Sequence, residues 1–158
     1  MSIKYIQRLL AAFEVLGGGY GFVGSCLALV PAFANGNTGV IEGAALLVTL
    51  SVCSIVGGVE LYRDRPLGRE LSTAVQAAQM PLLSFGSINY SAFLLARITI
   101  STGSGGMALG AGVGGEYFVH WSNAAAAPNV SVGVNLLAAG CLTALWIGRR
   151  HVRPTAKP

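Results

Sequence analysis

Between Arg8 and Asn35 the chain runs for 26 residues with a single charged side chain, Glu14. A helix of that length rises about 39 Å, more than the ~30 Å hydrocarbon core of a bilayer. A signal peptide is the competing reading, but its apolar region spans only about 7–15 residues and would not carry a glutamate. A retained first helix over residues 9–34 is therefore expected. Asn35-Gly36-Asn37-Thr38-Gly39 reads as a tight polar turn. A second span follows over 40–61, apolar apart from Glu42 near one end and Glu60 at the other. The segment from Glu60 to Glu70 then holds six of the chain's sixteen Asp, Glu, Lys and Arg residues. It reads as a charged turn between two apolar runs.

The rest of the composition agrees with that frame. Of all residues 53% are hydrophobic and 10% charged, with mean hydropathy +0.64. Soluble domains average about 25% charged residues, so too little polar surface exists here to coat a water-soluble globule. Nine of the ten basic residues fall in three blocks: Lys4 and Arg8; Arg63, Arg65 and Arg69; Arg149, Arg150, Arg153 and Lys157. That spacing matches the positive-inside pattern of an even number of spans with both termini cytoplasmic. Nucleic-acid binding is excluded because the basic residues form no clustered face. The short, Ala/Gly-rich chain suggests a bacterial inner membrane.

A third span is expected from Pro66, a favoured first-turn residue. It ends near Gly86 or runs on to Ala96, with Pro81 kinking it. From Ser87 to Ser101 apolar and polar residues alternate, as does Glu116-Tyr117-Phe118-Val119-His120-Trp121, and Gly-rich turns lie between. Period-two alternation argues strands. The expectation is an all-α membrane bundle of four transmembrane helices, with spans over 9–34, 40–61, 66–86 and 130–148. A small extracytoplasmic β-hairpin insertion over 87–123 separates helices 3 and 4, within a single membrane domain.

Gly19, Gly21 and Gly24 spell a literal G-x-G-x-x-G, but a dinucleotide fingerprint needs a βαβ unit that this chain does not offer. Small-residue helix packing fits better. Gly17, Gly21 and Gly24 lie along one helix face, and Gly140, Ala144 and Gly148 along another. Glu14 is the acid set inside the first run, either paired with Arg69 or Arg149 at the cytoplasmic interface or free to bind a proton or cation. Ala11-Ala12-Phe13-Glu14-Val15 resembles the first helix of the small multidrug resistance transporters, which are also four-helix proteins. The resemblance covers these five residues. It implies a drug- and proton-binding role for Glu14 alone, and the long segment between spans three and four departs from that family's pattern. Ser72, Gln76, Gln79 and Ser87 make a polar stripe on the third span. Arg63, Arg65, Arg69, Arg149, Arg150, Tyr117 and Trp121 are expected as interfacial anchors. Glu42 and Arg97 are candidates for a pair at the outer interface. Cys26, Cys53 and Cys141 have no metal or redox spacing and read as small buried hydrophobes. No nucleophile–base pair, metal-ligand set or phosphate loop emerges, so neither catalysis nor a cofactor is expected. The favoured reading is a non-enzymatic structural or accessory subunit that contacts lipid and docks other membrane subunits, or a second copy of itself, through its small-residue helix faces and the extracytoplasmic insertion. The alternative is a small proton- or cation-coupled transporter or pore using Glu14, Gln76 and Gln79.

Overall fold

The computed structural model describes residues 3–85, 88–103, 106–113, 116–121 and 130–151. Helix α1 covers Ile3–Ala34 and α2 covers Thr38–Tyr62. Both are long and apolar enough to cross a membrane. They form an antiparallel hairpin whose turn is built from backbone chemistry. Gly36 adopts φ +64° while its N–H reaches the Phe33 carbonyl (3.3 Å), and the Asn37 N–H reaches Ala32 (3.0 Å). This pairing is a Schellman cap, which uses the left-handed residue to satisfy the last carbonyls of a helix. Asn37 then caps α2 by accepting from the Val40 N–H at 3.3 Å.

The charged turn repeats the device. Asp64 takes the left-handed position at φ 57°, its N–H bonds the Leu61 carbonyl, and the Arg65 N–H bonds Glu60. Aspartate tolerates this conformation better than most residues. The Glu60 carboxylate accepts from Arg63 (3.3 Å) and Arg65 (3.0 Å), tying the turn together. Pro66 opens α3, which covers Pro66–Gln79. Gly68 makes the return possible: a Cβ there would collide with the backbone of Glu60 and Leu61.

Beyond α3 the expected four-span bundle does not form. Pro81 does not kink a long helix but ends it, because it offers no N–H and its ring would clash one turn back. The 14 residues of α3 rise about 21 Å, short of a ~30 Å core. The expected last span divides too. Residues 131–135 are a strand, and α4 runs from Leu136 to His151 with only Leu136–Gly148 apolar. Two candidate spans stand among the described residues, not four.

In place of a hairpin, residues 81–135 contribute six strands: β1 Pro81–Phe85, β2 Ile88–Phe93, β3 Ala96–Gly103, β4 Gly106–Val113, β5 Glu116–Trp121 and β6 Ser131–Asn135. The sheet is antiparallel, in the order β4-β3-β6-β1-β2-β5. The last strand is inserted between β1 and β3, pairing Val134 with both Pro81 and Ile100. Asn135 fastens this junction. Its N–H bonds the Met80 carbonyl at 2.8 Å, and its side chain accepts from Ile98 and caps α4 through Leu137 (3.1 Å).

The helices and the sheet meet at Leu94–Leu95, the link from β2 to β3. Leu94 packs with Leu47 and Val75, and its N–H is held by the Gln79 side chain at 3.1 Å. At the other end Leu10, Ala11, Leu61 and Leu145 form a second core shared by α1, α2 and α4. Leu136 opens α4 beside the sheet and Leu145 packs beside Leu61, so α4 runs back toward the charged turn. All the helix ends that carry basic blocks are thereby gathered at one end of the molecule.

Gly68→Ala should destabilise the fold by about 1–3 kcal/mol or more, because backbone rather than a movable side chain blocks the new methyl group. Gly19→Ala has open space around it and should be neutral or slightly stabilising. Reversible unfolding in mixed micelles measures both.

Candidate functional site

The most concentrated polar chemistry inside the helices surrounds Glu14, whose residue is 2% exposed. Ser72 donates its hydroxyl to Glu14 Oε2 at 2.5 Å, and Gln76 donates from Nε2 to Oε1 at 3.1 Å. Ser54 of α2 donates to the Glu14 backbone carbonyl at 2.9 Å. Three helices thus converge on one acidic residue. Among the described residues no basic side chain lies within 4.0 Å of it. The expected pairing with Arg69 does not form, and the side chain of Arg149 lies outside the described residues.

Two adjacent glycines make this meeting possible. A Cβ at Gly58 would lie 2.7 Å from the Ala11 carbonyl oxygen and 3.2 Å from Glu14 Cβ, so α1 lies directly on the α2 backbone. A Cβ at Gly57 would meet Leu71 Cβ at 3.1 Å and the Ser72 nitrogen at 3.2 Å, so α3 does the same beside it. With α2 thinned on both sides, the α1 carboxyl group reaches the α3 hydroxyl past it. Gly18 serves the same crossing farther along, where a Cβ would sit 2.7 Å from the Ser51 carbonyl oxygen. Sequence reasoning did not single out Gly18, Gly57 or Gly58. Their signal was the pairing of small residues at matching heights on two runs joined by a short turn.

Other expected site residues are distributed differently. Gln76 and Gln79 are both buried on one face of α3, but only Gln76 reaches Glu14, while Gln79 holds Leu94. Ser87 lies outside the described residues. Gly17 and Gly21 do provide close packing: Gly17 receives Leu94 and Leu95 from the link between β2 and β3, and Gly21 receives both Leu94 and the Ser51 side chain of α2. Gly24 and Gly140 have open space where a Cβ would stand, so neither is a close-packing position among the described residues. Ala144 is half-buried and Gly148 buried.

Arg63 and Arg65 are exposed and pair with Glu60, and Arg69 is half-buried. Arg149 and Arg150 stand in the last turn of α4 and Tyr117 and Trp121 on β5, with side chains outside the described residues. Exposed aromatics do gather at the charged end: Tyr5, Tyr62 and Trp146, with Arg8 stacked 5.6 Å above the Tyr62 ring. Arg97 does not sit at a helix end. It lies on β3, 4.5 Å over the Phe93 ring and bonded to Ser91 at 3.1 Å. Cys53 and Cys141 are half-buried, but Cys26 is exposed on α1, contrary to a core role.

If the three side chains act as one unit, Ser72→Ala and Gln76→Leu should each lower stability by about 1–3 kcal/mol, the cost of leaving a buried polar group short of a partner. Each effect should shrink when Glu14 is leucine. Additivity in a double-mutant cycle would show the contacts to be independent.

No family model, curated protein or solved structure matches this chain. The functional reading therefore rests on the arrangement of its own residues.

Proposed function

We propose that this chain is a non-enzymatic membrane protein, an accessory subunit that places the α1–α2 hairpin across a bilayer and offers its sheet to a partner. Membrane insertion is supported by where the apolar surface lies. Only 28% of the α1 apolar window and 22% of the α2 window are buried, far less than in the core helix of a soluble protein. Leu16, Tyr20, Val23, Leu27 and Val30 recur every three or four residues along one face of α1 and are 57–72% exposed. That stripe suits lipid contact. The collar of Tyr5, Tyr62 and Trp146 beside Lys4, Arg8 and the arginines of the charged turn suits a headgroup interface, and its positive charge favours the cytoplasmic side. We place the protein in a bacterial inner membrane with both termini cytoplasmic.

The observation that carries the subunit reading is β4. It closes one end of the sheet and pairs only with β3 among the described residues. Met107, Leu109 and Val113 on this strand are 79%, 76% and 88% exposed, and register places them on one face with Ile98, Ile100 and Val134. A free strand edge with an apolar face cannot stand in lipid and is an association hazard in water. A partner strand laid along β4 would satisfy both the edge and the face. With Gly17 and Gly21 already occupied, this sheet is a better docking surface than the glycine face of α1.

Two experiments test the reading. After replacement of the native cysteines by serine, Asn37→Cys should label from outside intact cells and Asp64→Cys only after permeabilisation. The reverse pattern would overturn the orientation. Met107→Asp with Leu109→Lys should abolish a co-purifying complex while leaving the protein membrane-bound, and an undiminished complex would remove β4 as the docking surface.

A second reading is favoured by the Glu14 cluster alone: a proton- or cation-coupled transporter in which Glu14 and Gln76 bind the coupling ion. Proton-coupled uptake into vesicles should then be lost in Glu14→Gln and retained in Glu14→Asp. Equal uptake in both variants and the parent protein would eliminate it.

A further inference from the structure

Between Glu70 and Arg149 the chain carries only two Asp, Glu, Lys or Arg residues, Arg97 and Glu116. Arg97 therefore stands apart from the three basic blocks. It lies on β3, whose alternation gives the sheet two unlike faces. Register places Arg97, Thr99 and Ser101 on one face with Ser131 of β6, Ser84 of β1 and Ser91 of β2. Ile98, Ile100, Val132, Val134, Met107 and Leu109 fall on the other. The six polar residues are all half-buried and line a pocket of about 310 Å³. Glycine keeps its floor low. Gly133 lies buried between Leu82 and Ser101 in register, and a Cβ there would stand 2.9 Å from Ser101 Cβ.

We propose that this pocket binds a small hydroxylated solute bearing a carboxylate or phosphate group, with Arg97 taking the oxyanion. The site goes beyond the docking surface above, because it uses the face of the sheet opposite Met107 and Leu109. Three observations carry it. First, the guanidinium is held in place. Its Nη1 donates to Ser91 Oγ at 3.1 Å, and the group lies 4.5 Å from the centre of the buried Phe93 ring. Gly112, opposite Arg97 in register, flanks it closely, since a Cβ there would lie 3.3 Å from Nε. A cation fixed in this way loses little rotamer freedom when an anion arrives. Its planar fork matches two oxygens of a carboxylate or phosphate. Second, five Ser and Thr residues share the pocket. Each hydroxyl can both donate and accept, which suits a ligand with hydroxyls of its own. Third, the volume stands at the lower end of the roughly 300–1,000 Å³ usual for ligand pockets, so the ligand is a small one.

Isothermal titration calorimetry of the full chain in uncharged detergent reads the site, with glycerol 3-phosphate, glycerate and glycerol as probes. The parent protein should bind at least one of the two anions, roughly tenfold or more tightly than glycerol. Whichever anion it prefers identifies the oxyanion as phosphate or carboxylate. Arg97→Gln should weaken anion binding roughly tenfold or more, the scale of one charge-assisted hydrogen bond. Arg97→Lys keeps the charge without the fork and should restore part of the affinity. Thr99→Val removes a hydroxyl at nearly constant shape and should weaken binding severalfold, which keeps the site testable should the Arg97 variants fold poorly. Glu116, opposite Phe93 in register, is the other charged residue of this half. Its replacement, Glu116→Gln, should leave anion binding intact or tighter. Failure of both anions to bind, equal binding of glycerol, or unchanged affinity in folded Arg97→Gln or Thr99→Val overturns the site. So does a loss in Glu116→Gln as complete as in Arg97→Gln, which would assign the arginine to a structural pair.

Discussion

Everything in the helical half depends on how closely α1 and α3 approach α2 at Gly57 and Gly58. In water, apolar side chains drive helices together. In lipid that force is absent, and close packing and buried hydrogen bonds must do the work. Glycine on α2 brings the Ala11 carbonyl oxygen within 2.7 Å of a would-be Cβ, a distance no other residue allows. The same approach lets the Ser54 hydroxyl reach the Glu14 carbonyl and the Ser72 hydroxyl reach the Glu14 carboxyl group. Packing and polar satisfaction are therefore one event. A larger residue at Gly58 would separate the helices and strand a buried acidic side chain at once.

The sheet end is governed by a different rule, that every backbone N–H and C=O away from water needs a partner. Where the chain leaves helix for strand, two side-chain amides supply what the backbone cannot. Gln79, the last residue of α3, accepts the N–H of Leu94. Asn135, the last residue of β6, accepts those of Ile98 and Leu137. Leu94 then fills the space left by Gly17 and Gly21 on α1. Gly17 and Gly21 are the socket for a strand connection, and Gly21 also seats Ser51 of α2. Their open space is spent inside the chain, which shifts any partner contact toward the outer strands.

How much of this was legible in the sequence follows from which signals were unambiguous. The two long helices, the Asn/Gly turn and the charged turn each combine an apolar run with a stop signal. Their boundaries lie within two residues of expectation except at the start of α1, which begins six residues earlier, at Ile3. The acidic residue in the first run and the polar stripe at Ser72 and Gln76 were also readable. That they meet was not, because a contact between residues 58 apart depends on the glycines of a third helix. The end of α3 was obscured by Leu82 and Leu83, which read as continued helix although Pro81 had already withdrawn the hydrogen bond. Residues 130–135 were obscured in the same way. Val130, Val132 and Val134 are outward and Gly133 and Asn135 buried, a strand alternation. Because Leu136 extends the apolar run directly into α4, periodicity alone could not place the boundary.

The two short helices and the sheet follow from one geometric fact. α3 and α4 leave the charged end beside a hairpin whose members rise about 48 Å and 38 Å, but they rise only about 21 Å and 24 Å. Strands therefore take over at a height where α1 and α2 still present apolar surface. One edge of the sheet, β5, lies against α2. Among the described residues the opposite edge, β4, has no comparable helix beside it. If lipid reached that height, a bare β4 would be the costliest surface in the molecule, and in water its three large exposed apolar side chains would invite association. In either environment β4 is the strand on which the proposed docking rests, however deeply the hairpin inserts.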